Sequence, residues 1–220
     1  MASSARQEFR DNYRDVERLL EIHSELAGDT PGRKHGVEVL NKSAIVLMCA
    51  VWEAYCEDIA AEAVEHLVEH AADASGLPKA LRRNVAKELK ADLNDSALWR
   101  LADDGWRTYL RGRTKAMAEE RNRNLNTPKT DKIKELFDAT VGLPDVPTAW
   151  YWSGISAKQA AKKLDGYISL RGDIAHRANA AANIKKSDAW KFADHAGRLV
   201  EKTDAYINQQ LGLACGSPLF

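Results

Sequence analysis

Residues 43–56, SAIVLMCAVWEAYC, hold one charged side chain, Glu53, in fourteen positions. Wound as a helix, this stretch is apolar on every side, so it has no face to give to water. It can only be the centre of something, with other elements packed around it. The chain on both sides supplies those elements. Residues 5–27 place Phe9, Tyr13, Val16, Leu19, Leu20 and Leu26 at helical spacing, and Gly28 and Pro31 end the run. The central helix spans about Val37 to Ala74, as one helix or as two with a bend, until Gly76 and Pro78 break it. A shorter basic amphipathic helix follows over residues 77–93, then a short helix and a longer one after Gly105, within 96–122. In NTPKTDKIKELF, Thr127 has the chemistry of an N-cap and Pro128 that of the first helical residue. Ser156 and Gln159 form a capping-box pattern that opens the next helix, and Ser187 is positioned to cap the last. Residues 142–154, GLPDVPTAWYWSG, make the one clear loop. There, Trp150 and Trp152 either clamp the loop over the core or flank a groove. No run alternates with period two.

The expected fold is therefore all-α: a helical bundle with one long buried central helix and additional peripheral helices. It reads as a single domain, 1–220. A first helix and turn occupy 7–36, the central helix 37–75, peripheral helices and the Trp-rich loop 77–154, and two final helices 155–212. Lys plus Arg and Asp plus Glu number 32 each, so the net charge is zero. Bulk electrostatics cannot carry nucleic-acid binding, and any such contact must use a local patch. The start of the chain carries no apolar targeting segment, and no run is long and apolar enough to span a bilayer. With three cysteines, Cys49, Cys56 and Cys215, off any metal spacing, a cytoplasmic protein with reduced thiols is expected, and no membrane partner.

The helix that starts near Ser156 carries ISLRGDIAHRAN at 168–179. At about 100° per residue, Leu164, Tyr167, Ile168, Leu170, Ile174 and Ala175 share one broad arc. Arg171 lies near its middle, while His176 falls outside it with Asp165, Ser169 and Gly172. A guanidinium on an apolar stripe is costly unless it is paired, or unless it snorkels to the rim. Glu53, the lone acid of the central helix, is the expected partner, in a pair that either pre-orients the arginine or only fixes packing. Arg-x4-His spacing alone is weak, because Arg18 and His23 repeat it on the first helix. There the orientation is reversed, with His23 on the apolar arc, and we read that pair as incidental. His66 and His70, four apart, lack the acid after the first His and a third ligand that would mark a zinc site. No glycine-rich phosphate loop and no Gly-x-Ser-x-Gly elbow occur.

Taken in order along the chain, AVWEAYCEDIAAEA, RNRNLNTPKTDKIKELF and LRGDIAHR resemble the HEPN superfamily, in particular the RiboL-PSP and MAE-type HEPN domains. The resemblance covers roughly residues 8–210. Its specific part is Arg171, Asp173 and His176 of the Arg-x4-His signature, with Glu53 in WEAY. Many members place a polar residue such as Asn directly after the arginine; here Gly172 stands there and Asp173 follows. The resemblance implies a metal-independent endoribonuclease that needs no cofactor. Arg171, His176, Asp173 and Glu53 would form its site, and the products would be 2′,3′-cyclic phosphate and 5′-OH ends. It also implies RNA as partner, a homodimer with a composite site, a role in bacterial defence, toxin or stress systems, and an antitoxin or regulatory protein. Arg177, Lys185 and Lys186 near the motif, with Arg111 and Arg113 in WRTYLRGRTK, are the candidate RNA contacts. Arg82, Arg83, Lys87 and Lys90 form a further basic cluster. Trp106 and Tyr109, set among basic residues, suit base stacking, but at that spacing they suit a core equally well. Two alternatives remain: a non-catalytic HEPN scaffold that binds RNA or a protein, and a helical oligomerisation protein without a nucleic-acid role.

Overall fold

A computed structural model describes residues 2–27, 37–123, 127–176 and 184–220. Among these the chain is all-α. Seven α-helices run in the order α1 (Ser4–Ala27), α2 (Glu38–His70), α3 (Lys79–Ala91), α4 (Gly105–Arg123), α5 (Thr130–Thr140), α6 (Ala157–His176) and α7 (Lys186–Cys215). Short 3-10 turns cover Ala74–Gly76, Asp95–Leu101 and Val146–Ala149. Extended structure among the described residues is limited to one isolated bridge, Trp152 to Ile155.

The apolar run dictates the layout. α2 is one continuous helix of 33 residues, and α1, α4, α5, α6 and α7 all pack on it. Ile45, Met48, Cys49, Trp52, Tyr55, Cys56 and Ile59 are each 2% exposed or less. Polar atoms at this core find partners: Trp52 Nε1 donates to the Pro128 carbonyl at 3.3 Å and Tyr55 Oη donates to the Val200 carbonyl at 3.1 Å. Trp150 clamps the 142–154 segment onto the core. It is fully buried, packs edge-on to Trp52 at 5.8 Å, and its Nε1 donates to Thr203 Oγ1 at 2.9 Å. Trp152 stands half-buried against His195, with ring centroids 5.4 Å apart. Gly142 ends α5 at φ +78°, where a side chain would meet the backbone nitrogen of Leu81 at 2.3 Å. That close approach lets α3 lie on α5.

Helix starts are set partly from within and partly from across the fold. At α6 the local pattern holds: Ser156 N donates to Gln159 Oε1 at 2.9 Å, and Gln159 N to Ser156 Oγ at 3.3 Å. At α5 it does not. The helix begins at Thr130, not at Pro128 behind a Thr127 cap. The reason is Asp165 of α6, whose Oδ1 accepts from Thr130 N at 2.8 Å and from Thr130 Oγ1 at 2.9 Å. At α7 the cap is likewise not Ser187. The helix starts one residue earlier, and Asp188 Oδ2 accepts from Lys185 N at 3.1 Å. α1 is opened by Glu62 of α2, whose two carboxylate oxygens accept from Ser4 N and Ala5 N, both at 2.9 Å.

Candidate functional site

α6 is unbroken from Ala157 to His176, so the motif is carried on a rigid rod. Leu164 and Ile168 seat it in the core at 0% and 1% exposure, and Tyr167 stacks on Phe192 of α7 at 4.4 Å. Tyr167, Leu170, Arg171 and Ile174 are half-buried, whereas Ala175, expected on the same arc, is exposed. The arc closes before the last turn of the helix, where α6 runs past the elements it packs on.

Arg171 lies over the middle of α2, within electrostatic reach of both Cys49 and Glu53. No nitrogen of Arg171 comes within 4.0 Å of a carboxylate oxygen among the described residues. The expected Arg171–Glu53 partnership is thus a longer-range coupling rather than a contact pair. Glu53 itself is half-buried. Its carboxyl is pushed up to about 7, first by burial and then by the neighbouring charge of Glu57, while Arg171 pulls it back. The Cys49 thiol is pushed up to about 12 by burial, again with Arg171 opposing. Glu53 also borders a cleft of about 290 Å³ between α2, α4 and α5, whose walls include Glu57, Glu120, Cys56, Met117 and Ile133. Arg171 therefore faces a carboxyl that changes charge near neutral pH.

A stability prediction follows from Glu53. Its folded value lies above its ordinary 4.5, so as pH rises from 4.5 to about 7 the unfolded chain gives up this proton first. Folding stability falls through that window and then levels off. Glu53→Gln removes the effect. Discounted for a side chain that solvent reaches, the variant gains about 1–2 kcal/mol at pH 8 and nothing at pH 4. Urea unfolding of both proteins at the two pH values checks this.

His176 is the last residue of α6 and is exposed, as is Asp173. Five residues on one ideal helix separate Arg171 and His176 by about 7.5 Å of rise and about 140° of rotation. The arginine points at α2 and the histidine points to water, so the two do not form one intramolecular cluster. Arg177 lies outside the described residues. Lys185 is exposed at the start of α7, and Lys186 Nζ donates to Ser24 Oγ on α1. Nearby, burial and then the charge of Lys186 push the His23 pKa down, and its buried Nδ1 has no hydrogen-bond partner among the described residues. Arg18 faces outward, ion-paired to Glu21 at 3.2 Å and Glu25 at 2.8 Å.

Arg111 and Arg113, on α4, are held by acids. Glu65 grips Arg111, which remains about half exposed. Glu88 receives two hydrogen bonds from Arg113, whose Nη1 also donates to the Ala139 carbonyl at 2.7 Å. Trp106 is 4% exposed and belongs to the core. The tryptophan left in water is Trp99, 78% exposed, which the spacing of basic residues did not single out. Its signal in the sequence was the short apolar sequence ALWRL, too brief for a helix and flanked by acids. His66 and His70 stack on each other at 4.1 Å, and His66 Nε2 meets the Ser217 carbonyl at 2.8 Å. Among the described residues no three His, Cys, Asp or Glu side chains gather closely enough to hold a metal ion.

An all-α bundle around one buried helix, with Arg171 and His176 on a single later helix, defines a HEPN-type domain. The particular family is specific: the model of the RiboL-PSP-HEPN family matches residues 11–209, and the chain belongs to it. Comparison with curated proteins and with solved structures returned no match. HEPN membership marks an RNA-related, nuclease-type module. No described helix is long and apolar enough to cross a membrane.

Proposed function

We propose that this chain is an endoribonuclease that cuts RNA without a metal ion, by attack of the 2′-oxygen on the adjacent phosphorus. The observation that carries the reading is the division of labour on α6. Arg171 is held on half-buried ground beside Glu53, while His176 stands free at the helix end. The O2′–P bond forms, the P–O5′ bond breaks, and a proton leaves O2′ while another reaches O5′. His176 serves as base or acid in this exchange, because imidazole titrates near neutral pH. Arg171 offers its planar fork to the charge gathering on the phosphate oxygens. The products are a 2′,3′-cyclic phosphate and a 5′-OH. Lys185 and Lys186, with Arg177 of the motif sequence, are the RNA contacts of this reading, and Asp173 is exposed on α6.

One histidine does not easily serve as base and acid at once in this exchange, so a second copy of the chain completes the site. An apolar trough beside the motif supports this. Leu19, Val39, Val46, Leu47, Ala50 and Ile174 line it, with Val39 61% and Val46 36% exposed. Covering such a strip favours association. An unrestrained ribonuclease harms its own cell, which suits a cytoplasmic defence, toxin or stress system held in check by an antitoxin or regulatory protein. The long-range coupling of Arg171 to Glu53 equally suits a structural role, and so favours the non-catalytic RNA- or protein-binding scaffold as a second reading.

The deciding experiment is incubation of total RNA with the purified chain in EDTA, followed by mapping of product ends. Cyclic-phosphate ends are the expected result. Intact RNA across a range of protein concentrations, at which the chain is shown to be dimeric, sinks the ribonuclease reading.

A further inference from the structure

The chain has no net charge, yet α3 does. Lys79, Arg82, Arg83, Lys87 and Lys90 are all exposed. At about 100° per residue they fall on one arc of about 140°, opposite the buried arc of Leu81, Val85 and Leu89. The one acid of the helix, Glu88, is off that arc and bound to Arg113. None of the five cations makes a side-chain hydrogen bond or ion pair among the described residues; Asp73 alone lies within electrostatic reach, of Arg82. The contrast with Arg111 and Arg113, each gripped by a glutamate, is direct. The arc is about 16 Å long.

Beside its C-terminal end stands an apolar knob. Leu93 is 101% exposed, Leu98 53% and Trp99 78%. The knob is tied to the helix end by Arg100, whose Nη1 lies 3.6 Å from Asp92 Oδ2. Of six tryptophans this indole is the one left open to solvent. A row of free cations next to an open aromatic plane is the arrangement that tracks a single-stranded backbone and stacks one of its bases. A lipid surface fits less well: an interfacial helix needs its apolar face for the bilayer, and the apolar face of α3 is in the core.

We infer that the outer face of α3 and Trp99 form a second RNA-binding surface, separate from the motif, which holds a single-stranded segment of the substrate. The inference rests on RNA being the substrate. α3 packs on α5, and α5 on α6, so α5 stands between α3 and the helix that carries the motif. Its role is to capture and position the strand, while bond cleavage takes place at α6.

The test uses the full chain and a fluorescein-labelled single-stranded uridine oligonucleotide of about 20 nucleotides. Binding is measured in a His176→Ala background, so that cleavage does not consume the probe, across a range of salt concentrations. Replacing Lys79, Arg82, Arg83, Lys87 and Lys90 together by Gln lowers affinity at least about tenfold. It also flattens the slope of log affinity against log salt by about 3, near the 0.7 per contact that single strands give. Trp99→Ala costs about tenfold with the salt slope unchanged. All six positions are exposed, and thermal unfolding of each variant verifies that the fold is kept. No binding by the parent, binding by both variants within about twofold of it, or capture by phosphatidylserine vesicles in place of RNA overturns the inference. The two proposals separate cleanly. Variant-sensitive binding without cleavage by the native chain retires the ribonuclease reading alone; cleavage with variant-insensitive binding retires the α3 surface alone.

Discussion

His176→Ala lowers the rate of RNA cleavage in EDTA by a factor of about 10²–10⁴, the range general acid–base catalysis supplies. Thermal unfolding stays where it was, because the side chain is exposed at the end of α6 and packs on nothing in the core. Arg171→Ala costs activity on a similar scale, yet differs in its second effect. Arg171 lies over α2 and draws the Glu53 carboxyl down, so its removal leaves that carboxyl harder to ionise. The proposed composite site adds a sharper test. His176→Ala added in excess to the native chain lowers its activity below that of the same amount of native chain alone, because each mixed dimer holds one histidine where the reaction needs two. Activity that His176→Ala leaves intact removes this residue from the chemistry.

Trp150→Ala has the largest expected effect on folding. The indole is fully buried, meets Trp52 edge-on, and holds the hydroxyl of Thr203, itself 0% exposed. Truncation leaves a cavity at the junction of the loop, α2 and α7, and strands a buried hydroxyl. Together these cost about 4–5 kcal/mol. At about 2–4 °C per kcal/mol for a chain of this size, the midpoint falls by about 8–20 °C. Trp150→Phe keeps most of the volume and loses only the hydrogen bond, for about 1–3 kcal/mol. Urea unfolding of the two variants orders them. A loss under about 1 kcal/mol for Trp150→Ala contradicts the clamp.

Much of this molecule was readable in advance, and for a physical reason. A stretch such as 43–56 admits only a central position, and the punctuation by Gly28, Gly76 and Pro78 divides the rest into helices of the right length. The Ser156–Gln159 cap was legible because both partners lie within one turn. Thr127 and Ser187 misled because the groups that satisfy those helix starts are Asp165, from another helix, and Asp188, one residue further in. A tertiary carboxylate leaves no local pattern. At the site, the placement of Arg171 on the apolar arc matches its half-buried position, whereas the exposure of His176 was not fixed by its place off the arc. The distance that keeps Arg171 from an ion pair with Glu53 depends on helix packing that no spacing encodes. The same holds for basic residues: Arg113 and Arg83 look alike in sequence, but Glu88 holds the one and leaves the other free.

The Asp165 carboxylate has a mechanical consequence. It lies six residues before Arg171 on the same unbroken helix, and it grips the first residue of α5 through two hydrogen bonds. A slide or turn of α6 would tear both at once and bare the start of α5. The rod that carries the motif is thereby latched to its neighbour and fixed in register.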